Sequence, residues 1–296
     1  MVSNRSLSSH ADGFPWETYA MRYSEKESFN NCPYKYKLQQ EGLTKQIEGS
    51  DAHDKNWGAA IHAGLQAHYL NKPWEEIERA FIAEYPENLS EEDMAKTRES
   101  GLECLKRYRQ HFVQQDQNWE VLGTEEVGSV SIGGEDHDLH IDLVARNKQS
   151  GDIYLWDHKT TAKSASPTYW RGFELSGQLT RYCVYVLEKY GNCAGAIINN
   201  ISVKHLKIKN KYGEGPGLVV SFERQLFNRS PQQIAFWRES DEQWMKQIQF
   251  SEATNNWPRA LGKLCAWCEY YELCLASGDE QIKELLYQIK TKEKVA

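Results

Sequence analysis

The sequence contains no run approaching the roughly 18 consecutive apolar residues that a bilayer-spanning helix needs. Its first residues, MVSNRSLSSHADGF, hold no apolar segment of the kind that drives secretion. A membrane or secreted protein is therefore not expected, and an intracellular, cytoplasmic location is. Positive charge is also short. With 35 Lys and Arg against 42 Asp and Glu the net charge is -7, so no global field draws in a polyanion, and any nucleic-acid contact must come from a local patch. Internal repeats, low-complexity segments and Pro/Gly/Ser linkers are missing, which reads as one interwoven domain over residues 1–296. Seven cysteines are too few for a disulfide scaffold in a chain this long, and a reducing compartment is expected.

What is present is patterned. Cys104, Cys183 and Cys193 sit singly inside apolar segments and read as buried thiols. Cys265, Cys268 and Cys274 form C-x2-C-x5-C, whose short first spacing lets two thiolates reach one metal centre. A fourth ligand is needed, and spacing alone does not choose between zinc and an iron-sulfur cluster.

Residues 24–118 read as helical. Ser24 and Glu27 suggest a capping box for a helix over 24–40 that contains Cys32. A second helix is expected over Asp54 to Leu70 with His62 near its middle, then one with Pro73 at its first position, then a long one capped by Ser90 and running to about Gln115. From Trp119 the texture becomes strand-like, in an antiparallel meander of WEVLGTEEVGSVSI, HDLHIDLVA and DIYLWDHKT. A helix over Glu174 to Tyr190 follows, with an apolar stripe that includes Leu175 and Leu179, and then strands AGAIINNISVK and LVVSFERQLF. A helix capped by Ser230, the cysteine motif to residue 278 and a charged tail over 279–296 complete the pattern. This order of helices and strands implies an α/β fold.

The segment HIDLVARNKQSGDIYLWDHKTT is two apolar strands around a polar turn at Asn147 to Gly151. Pairing symmetric about that turn sets Asp142 opposite Asp157, with Cβ atoms about 4.5 to 5.5 Å apart. Strand alternation places Lys159 on the same face as Asp157. Two carboxylates suit a hard divalent ion such as Mg2+ or Mn2+, which activates water and stabilises a phosphoryl transition state. The lysine can orient or deprotonate the attacking water and offset developing negative charge.

This hairpin resembles the core of the PD-(D/E)XK nuclease superfamily, with Asp142 followed by Asp157, His158 and Lys159. GAAIH, residues 58–62, resembles the helical histidine motif of the RecB-type branch, and QLTRY, Gln178 to Tyr182, its Q-x-x-x-Y motif. The CP-x-x-Y context of Cys32 and the Trp257-Pro258 approach to the three C-terminal cysteines resemble iron-sulfur nucleases similar to RecB, AddB and their CRISPR-associated and phage relatives. The resemblance implies a restriction-endonuclease-like core, a mixed central sheet flanked by helices, in residues 119–227, with the cysteine motif of 228–278 closing onto the N-terminal region. It implies a Mg2+ or Mn2+ site on His62, Asp142 and Asp157, assisted by Lys159. Gln178 and Tyr182 would position substrate. Glu125, for which Glu126 competes, would support the site, and the His158 carbonyl would add a ligand while its side chain points away. A 4Fe-4S cluster on Cys32, Cys265, Cys268 and Cys274 is implied as a structural staple. The implied activity is exonucleolytic hydrolysis of DNA, single-stranded or at duplex ends, in recombination, repair or phage DNA processing. No G-x-x-x-x-G-K-S/T phosphate loop is present, so unwinding would fall to a helicase or recombination partner. Asp157 departs from the glutamate that many relatives carry there. A silent nuclease-fold adaptor that binds DNA without cutting it is the alternative, and the intact acids and lysine speak against it.

Two segments offer local positive charge. Lys204 and Lys207 lie on and beyond the strand ISVKHLKIKNKYG, and Lys163, Tyr169, Trp170 and Arg171 lie in the loop TTAKSASPTYWRG. A basic group there could hold phosphate while an aromatic stacks on an unpaired base.

Overall fold

The computed structural model describes residues 21, 23–45, 52–86, 95–162 and 165–289. Helices α1 (Tyr23–Asn31) and α2 (Pro33–Gln40) precede a short strand β1 (Leu43–Lys45), followed by α3 (Ala52–Tyr69), α4 (Trp74–Glu84) and α5 (Arg98–Asp116). Three strands come next, β2 (Trp119–Ile132), β3 (Glu135–Asn147) and β4 (Ile153–Thr161), then α6 (Pro167–Glu174), α7 (Gly177–Tyr190), β5 (Gly195–Leu206), β6 (Gly217–Asn228) and α8 (Pro231–Thr254). A 3-10 turn at Lys263–Trp267, α9 (Tyr271–Leu275), α10 (Glu280–Leu286) and β7 (Tyr287–Ile289) follow. Among the described residues no helix is long and apolar enough to cross a membrane.

Five strands form one sheet in the order β2-β3-β4-β5-β6. Hairpin neighbours pair antiparallel, whereas β4 and β5 run parallel because α6 and α7 carry the chain back across the sheet. Both faces are covered. Phe29, Tyr36, Leu179, Val186 and Met245 of α1, α2, α7 and α8 bury one face, while Ile61, Leu65, Phe81 and Leu105 of α3, α4 and α5 bury the other. This is the mixed α/β sheet flanked by helices that the sequence implies.

The sheet forks at its centre. β3 pairs with β4 only from Leu143 to Arg146, against Ile153 to Trp156. Beyond that, β3 continues along β2 to Glu135, and β4 continues along β5 to Thr161. The side-chain alternation of β3 changes phase at the same point, because Leu139 and Ile141 join one core and Leu143 and Ala145 the other. Asp142 lies at the change of phase, at the base of the fork.

Several element boundaries differ from expectation. The helix over 24–40 is two helices, and Ser24 lies inside α1 rather than capping it. Pro33 drives its preceding residue out of the helical region, so Cys32 is extended (φ -164°, ψ 109°). Pro73 precedes α4 as its cap. Ser90 lies outside the described residues, and α5 is capped instead by Thr97, which exchanges hydrogen bonds with Ser100 at 3.1 and 2.9 Å. The helix over 174–190 begins afresh at Gly177, capped by Ser176, which turns Leu175 out of the apolar stripe to 89% exposure. The tail expected over 279–296 is structured through residue 289, because Asp279 caps α10 and Tyr287 is buried.

Those C-terminal elements reach the N-terminal region. β7 pairs with β1, the Tyr270 hydroxyl donates to the Leu43 carbonyl at 2.6 Å, and Lys45 pairs with Glu272 at 2.9 Å.

A buried polar knot joins α1, α7, α8 and β3. Asp241 pairs with Lys26 and lies 3.8 Å from Arg181, and all three are almost fully buried. His137 is buried close by, and burial, aided by the charges of Arg181 and Lys26, pushes its imidazole down to about 4. Unfolding restores an ordinary value near 6.5, so the unfolded chain binds more protons between those limits. Stability is fully present above about pH 6.5 and is lost as the pH falls toward 4, by about 3 kcal/mol for this one group. Urea unfolding at both ends of that window should show the loss shrinking by a comparable amount in His137→Leu.

Candidate active site

The fork brings acids from three strands into one row. Continuing the β3–β4 register one step beyond Leu143 and Trp156 sets Asp142 against Asp157. On the far side of β3, Asp142 lies between the Thr124–Leu143 and Glu126–Ile141 pairs, facing Glu125 of β2. Neighbouring strands lie about 4.8 Å apart, so the three carboxylates are close before side-chain detail is considered.

Asp142 is the anchor. One carboxylate oxygen accepts the His158 backbone N–H at 2.6 Å, and the other lies 3.4 Å from Nδ1 of His62 on α3. Burial opposes its ionisation, yet the His62 hydrogen bond and charge and the His158 N–H outweigh burial and hold its carboxyl well below the usual range. Reciprocally, burial pulls the His62 imidazole down, but Asp142, Glu125 and Asp157 raise it above its ordinary value overall. Asp157 behaves in the opposite way from Asp142. Its own burial raises it, with the Asp142 charge adding to the effect and Lys159 only partly offsetting it. The Lys159 ammonium lies 2.7 Å from Asp157 and, despite burial, is held above its ordinary value by that carboxylate. Lys159 is therefore a cation here rather than a ready base.

Glu125 joins this centre through an irregularity. The β2 register shifts between Val121 and Gly123, and Glu125 adopts a left-handed conformation (φ 48°). Glu126 turns elsewhere, pairing with Lys189 at 2.9 Å and accepting from Tyr190. Ligand atoms of His62, Glu125 and Asp142 lie within 4.8 Å of one another. One imidazole and two carboxylates form a donor set that fits a divalent cation such as Mn2+ or Mg2+. Asp157 flanks the group from β4, with its carboxylate turned to Lys159.

Gln178 and Tyr182 share one face of α7, and the Gln178 amide donates to the Tyr182 hydroxyl at 2.9 Å. Burial raises the Tyr182 hydroxyl above its ordinary value, with the charges of Asp157 and Asp142 adding to the rise and the Gln178 hydrogen bond and Lys159 opposing it. The His158 side chain points away into the core, where burial pushes its imidazole down to about 3.

The segments expected to touch DNA are less uniform. Lys163 lies outside the described residues. Trp170 is half-buried and packs against the core, with ring centroids 6.3 Å from both Phe173 and Phe227. Arg171 is exposed. Lys204 lies 3.8 Å from Glu214, whereas Lys207 is exposed. One group at the site escaped sequence reasoning. His140 is 55% exposed by side chain and lies 2.6 Å from Glu125, which raises its imidazole. The Tyr169 hydroxyl donates to Asn200 at 2.9 Å and is pushed up to about 12 by burial and by Asp157. The only signal for His140 was its place two residues before Asp142.

The four remaining cysteines lie on elements from both ends that touch one another through neighbouring residues. Cys32 separates α1 from α2, Cys265 lies in the 3-10 turn with Cys268 at its end, and Cys274 lies in α9. The Tyr34 N–H donates to the Pro258 carbonyl at 3.3 Å, and Arg259 stacks over Tyr34 at 4.4 Å. Burial raises the Cys274 thiol, and the charges of Cys268, Cys32 and Cys265 add to that rise against Arg259.

A sequence model of the PD-(D/E)XK nuclease superfamily matches residues 21–275. No curated protein matches the sequence. Among solved structures, one described as a putative exonuclease from Eubacterium rectale is 10% identical, with coverage of 83% of this chain and 87% of that one and a TM-score of 0.49. The protein SSO0001 is 12% identical, with coverage of 73% and 83% and a TM-score of 0.28.

Proposed function

The chain belongs to the PD-(D/E)XK nuclease superfamily, and on that premise we propose that it is a metal-dependent deoxyribonuclease that hydrolyses phosphodiester bonds from DNA ends. The observation that carries the proposal is the convergence of His62, Glu125 and Asp142 within 4.8 Å, with the Asp157–Lys159 pair alongside.

His62, Asp142 and Glu125, joined by Asp157 or the His158 carbonyl, would hold the divalent ion. When bound, that ion supplies an activated water and positive charge at the scissile phosphate. Asp142 is ready as an ionised ligand, because His62 and the His158 N–H stabilise its negative form. Lys159, kept protonated by Asp157, orients the attacking water by hydrogen bonding and offsets charge on the phosphate as it develops. Tyr182, steadied by Gln178, offers a hydroxyl donor to a substrate phosphate oxygen. The imidazole in the ligand set favours Mn2+ over Mg2+.

Cys32, Cys265, Cys268 and Cys274 would carry a structural 4Fe-4S cluster. The reading is supported by the C-x2-C-x5-C spacing of the last three cysteines and by the contact of the segment after Cys32 with the approach to them, where the Tyr34 N–H meets the Pro258 carbonyl at 3.3 Å. Iron and sulfide analysis against zinc content separates the cluster from a zinc site on the same thiolates. The substrate is DNA, single-stranded or at duplex ends, in recombination, repair or phage DNA processing, with a helicase as the complementary partner.

End-labelled linear single- and double-stranded DNA, incubated with anaerobically purified protein and Mn2+, Mg2+ or EDTA, tests the activity. Loss of label that needs metal and disappears in Asp142→Ala supports a nuclease. DNA binding without cleavage, in brown protein containing iron and sulfide, would instead indicate a silent adaptor.

A further inference from the structure

His158 is surrounded by a connected set of buried polar groups on the face of the sheet opposite Lys159. Its ring stacks on Tyr69 of α3, nearly parallel at 5.8 Å, and meets His62 edge-on at the same distance. Its Nδ1 lies 2.9 Å from the Asn199 amide nitrogen, which also donates to the Tyr108 hydroxyl at 2.8 Å. An amide nitrogen only donates, so Nδ1 accepts and the ring proton sits on Nε2. The Asn199 carbonyl oxygen in turn accepts from Arg224 Nε at 3.3 Å. Arg224 also donates to Tyr69 and Tyr108 at 3.0 and 2.8 Å and pairs with Asp116. Its guanidinium lies over Phe112 and Trp156, at 3.3 and 4.6 Å.

The network ties together α3, α5, β4, β5 and β6, and it acts on the metal-ligand pair from two directions. Through Tyr69 it fixes α3, on which His62 sits seven residues earlier and thus on the same helical face. Through His158 it fixes β4 at the residue whose backbone N–H holds Asp142. Beyond Trp156 β4 has lost its β3 partner, so the ladder on that side does not set the position of residue 158. We propose that Asn199, Tyr108 and Arg224 are positioning residues that hold His158, and through it the His62–Asp142 pair, in metal-binding geometry. The proposal rests on the metal-dependent reading of the site.

The direct test is Mn2+ affinity by electron paramagnetic resonance on the full chain, with kcat and KM on DNA measured alongside. Asn199→Leu removes both links to His158 and Arg224, while Tyr108→Phe deletes one hydroxyl and keeps the ring in place. Partners of this kind behind a metal ligand are worth about 10- to 100-fold in affinity or turnover. Asn199→Leu should weaken Mn2+ by that factor and lower kcat with KM for DNA unchanged. Tyr108→Phe should move both in the same direction by less, with cooperative melting retained. Wild-type Mn2+ affinity and kcat in a cooperatively folded Tyr108→Phe or Asn199→Leu protein would overturn the proposal. Should Asn199→Leu fail to fold, Tyr108→Phe decides alone. A wild-type protein that binds Mn2+ but leaves DNA intact would defeat the nuclease reading, while the affinity ratios would still decide this one.

Discussion

Replacing Lys159 with Met lowers the rate of metal-dependent DNA cleavage by about 10^2- to 10^3-fold, the usual loss when one preorganised donor to a phosphoryl transition state is removed. The expected signature is a fall in kcat with little change in KM. The ammonium is held 2.7 Å from Asp157, and in the proposed reaction it acts on charge that develops only toward the transition state. Methionine keeps the unbranched stem out to about the lysine Cε and removes the terminal nitrogen with its charge and donors. Single-turnover measurements with saturating Mn2+ provide the check. A variant that cleaves at the wild-type rate would remove Lys159 from the chemistry and leave the acids to act without it.

The second large effect concerns stability. Asp241→Ala leaves Lys26 and Arg181 facing each other as buried cations without their shared anion, and breaking a buried ion pair in this way costs about 3–5 kcal/mol. The double replacement Lys26→Met with Asp241→Leu removes one charge of each sign and should recover much of that loss. Denaturant unfolding of the single and double variants measures both. Because α7 carries Arg181 as well as Gln178 and Tyr182, the destabilised single variant should also lose activity at temperatures where the wild type is intact.

How far the site can be read from sequence depends on how local its geometry is. The approach of Asp142 to Asp157 follows from a short turn and a fixed strand period: the β3–β4 ladder runs to Leu143 and Trp156, one residue short of both, and Lys159 lies 2.7 Å from Asp157. The contact between Gln178 and Tyr182 likewise follows from the four-residue helical repeat. Glu125 and Glu126 were indistinguishable, because the choice between them rests on a register shift and a left-handed residue that alternation does not encode. Arg224 and Asn199 were invisible for a different reason. Their role depends on which strands become neighbours, and nothing in LVVSFERQLF marks its arginine as an internal residue rather than a solvated one. Trp170 was open to both readings, base stacking or core packing, and it is half-buried against the core beside Phe227. At Cys32 the break was available in Pro33, but the capping pattern at Ser24 and Glu27 pointed to one continuous helix.

The pairing of β1 with β7 bears on the order in which the chain folds. Thr44 and Gln288 are 244 residues apart in sequence yet adjacent in space, and among the strand pairings of the described residues this one carries the greatest loop-closure cost. On the ribosome the helices and the forked sheet emerge and can associate before residue 287 is made. Closure of the ends is then the last assembly step. Cys265, Cys268 and Cys274 are likewise made after the forked sheet, so on the proposed function the acids would be assembled before the four cysteines, and a chain stalled between the two would have the first without the second.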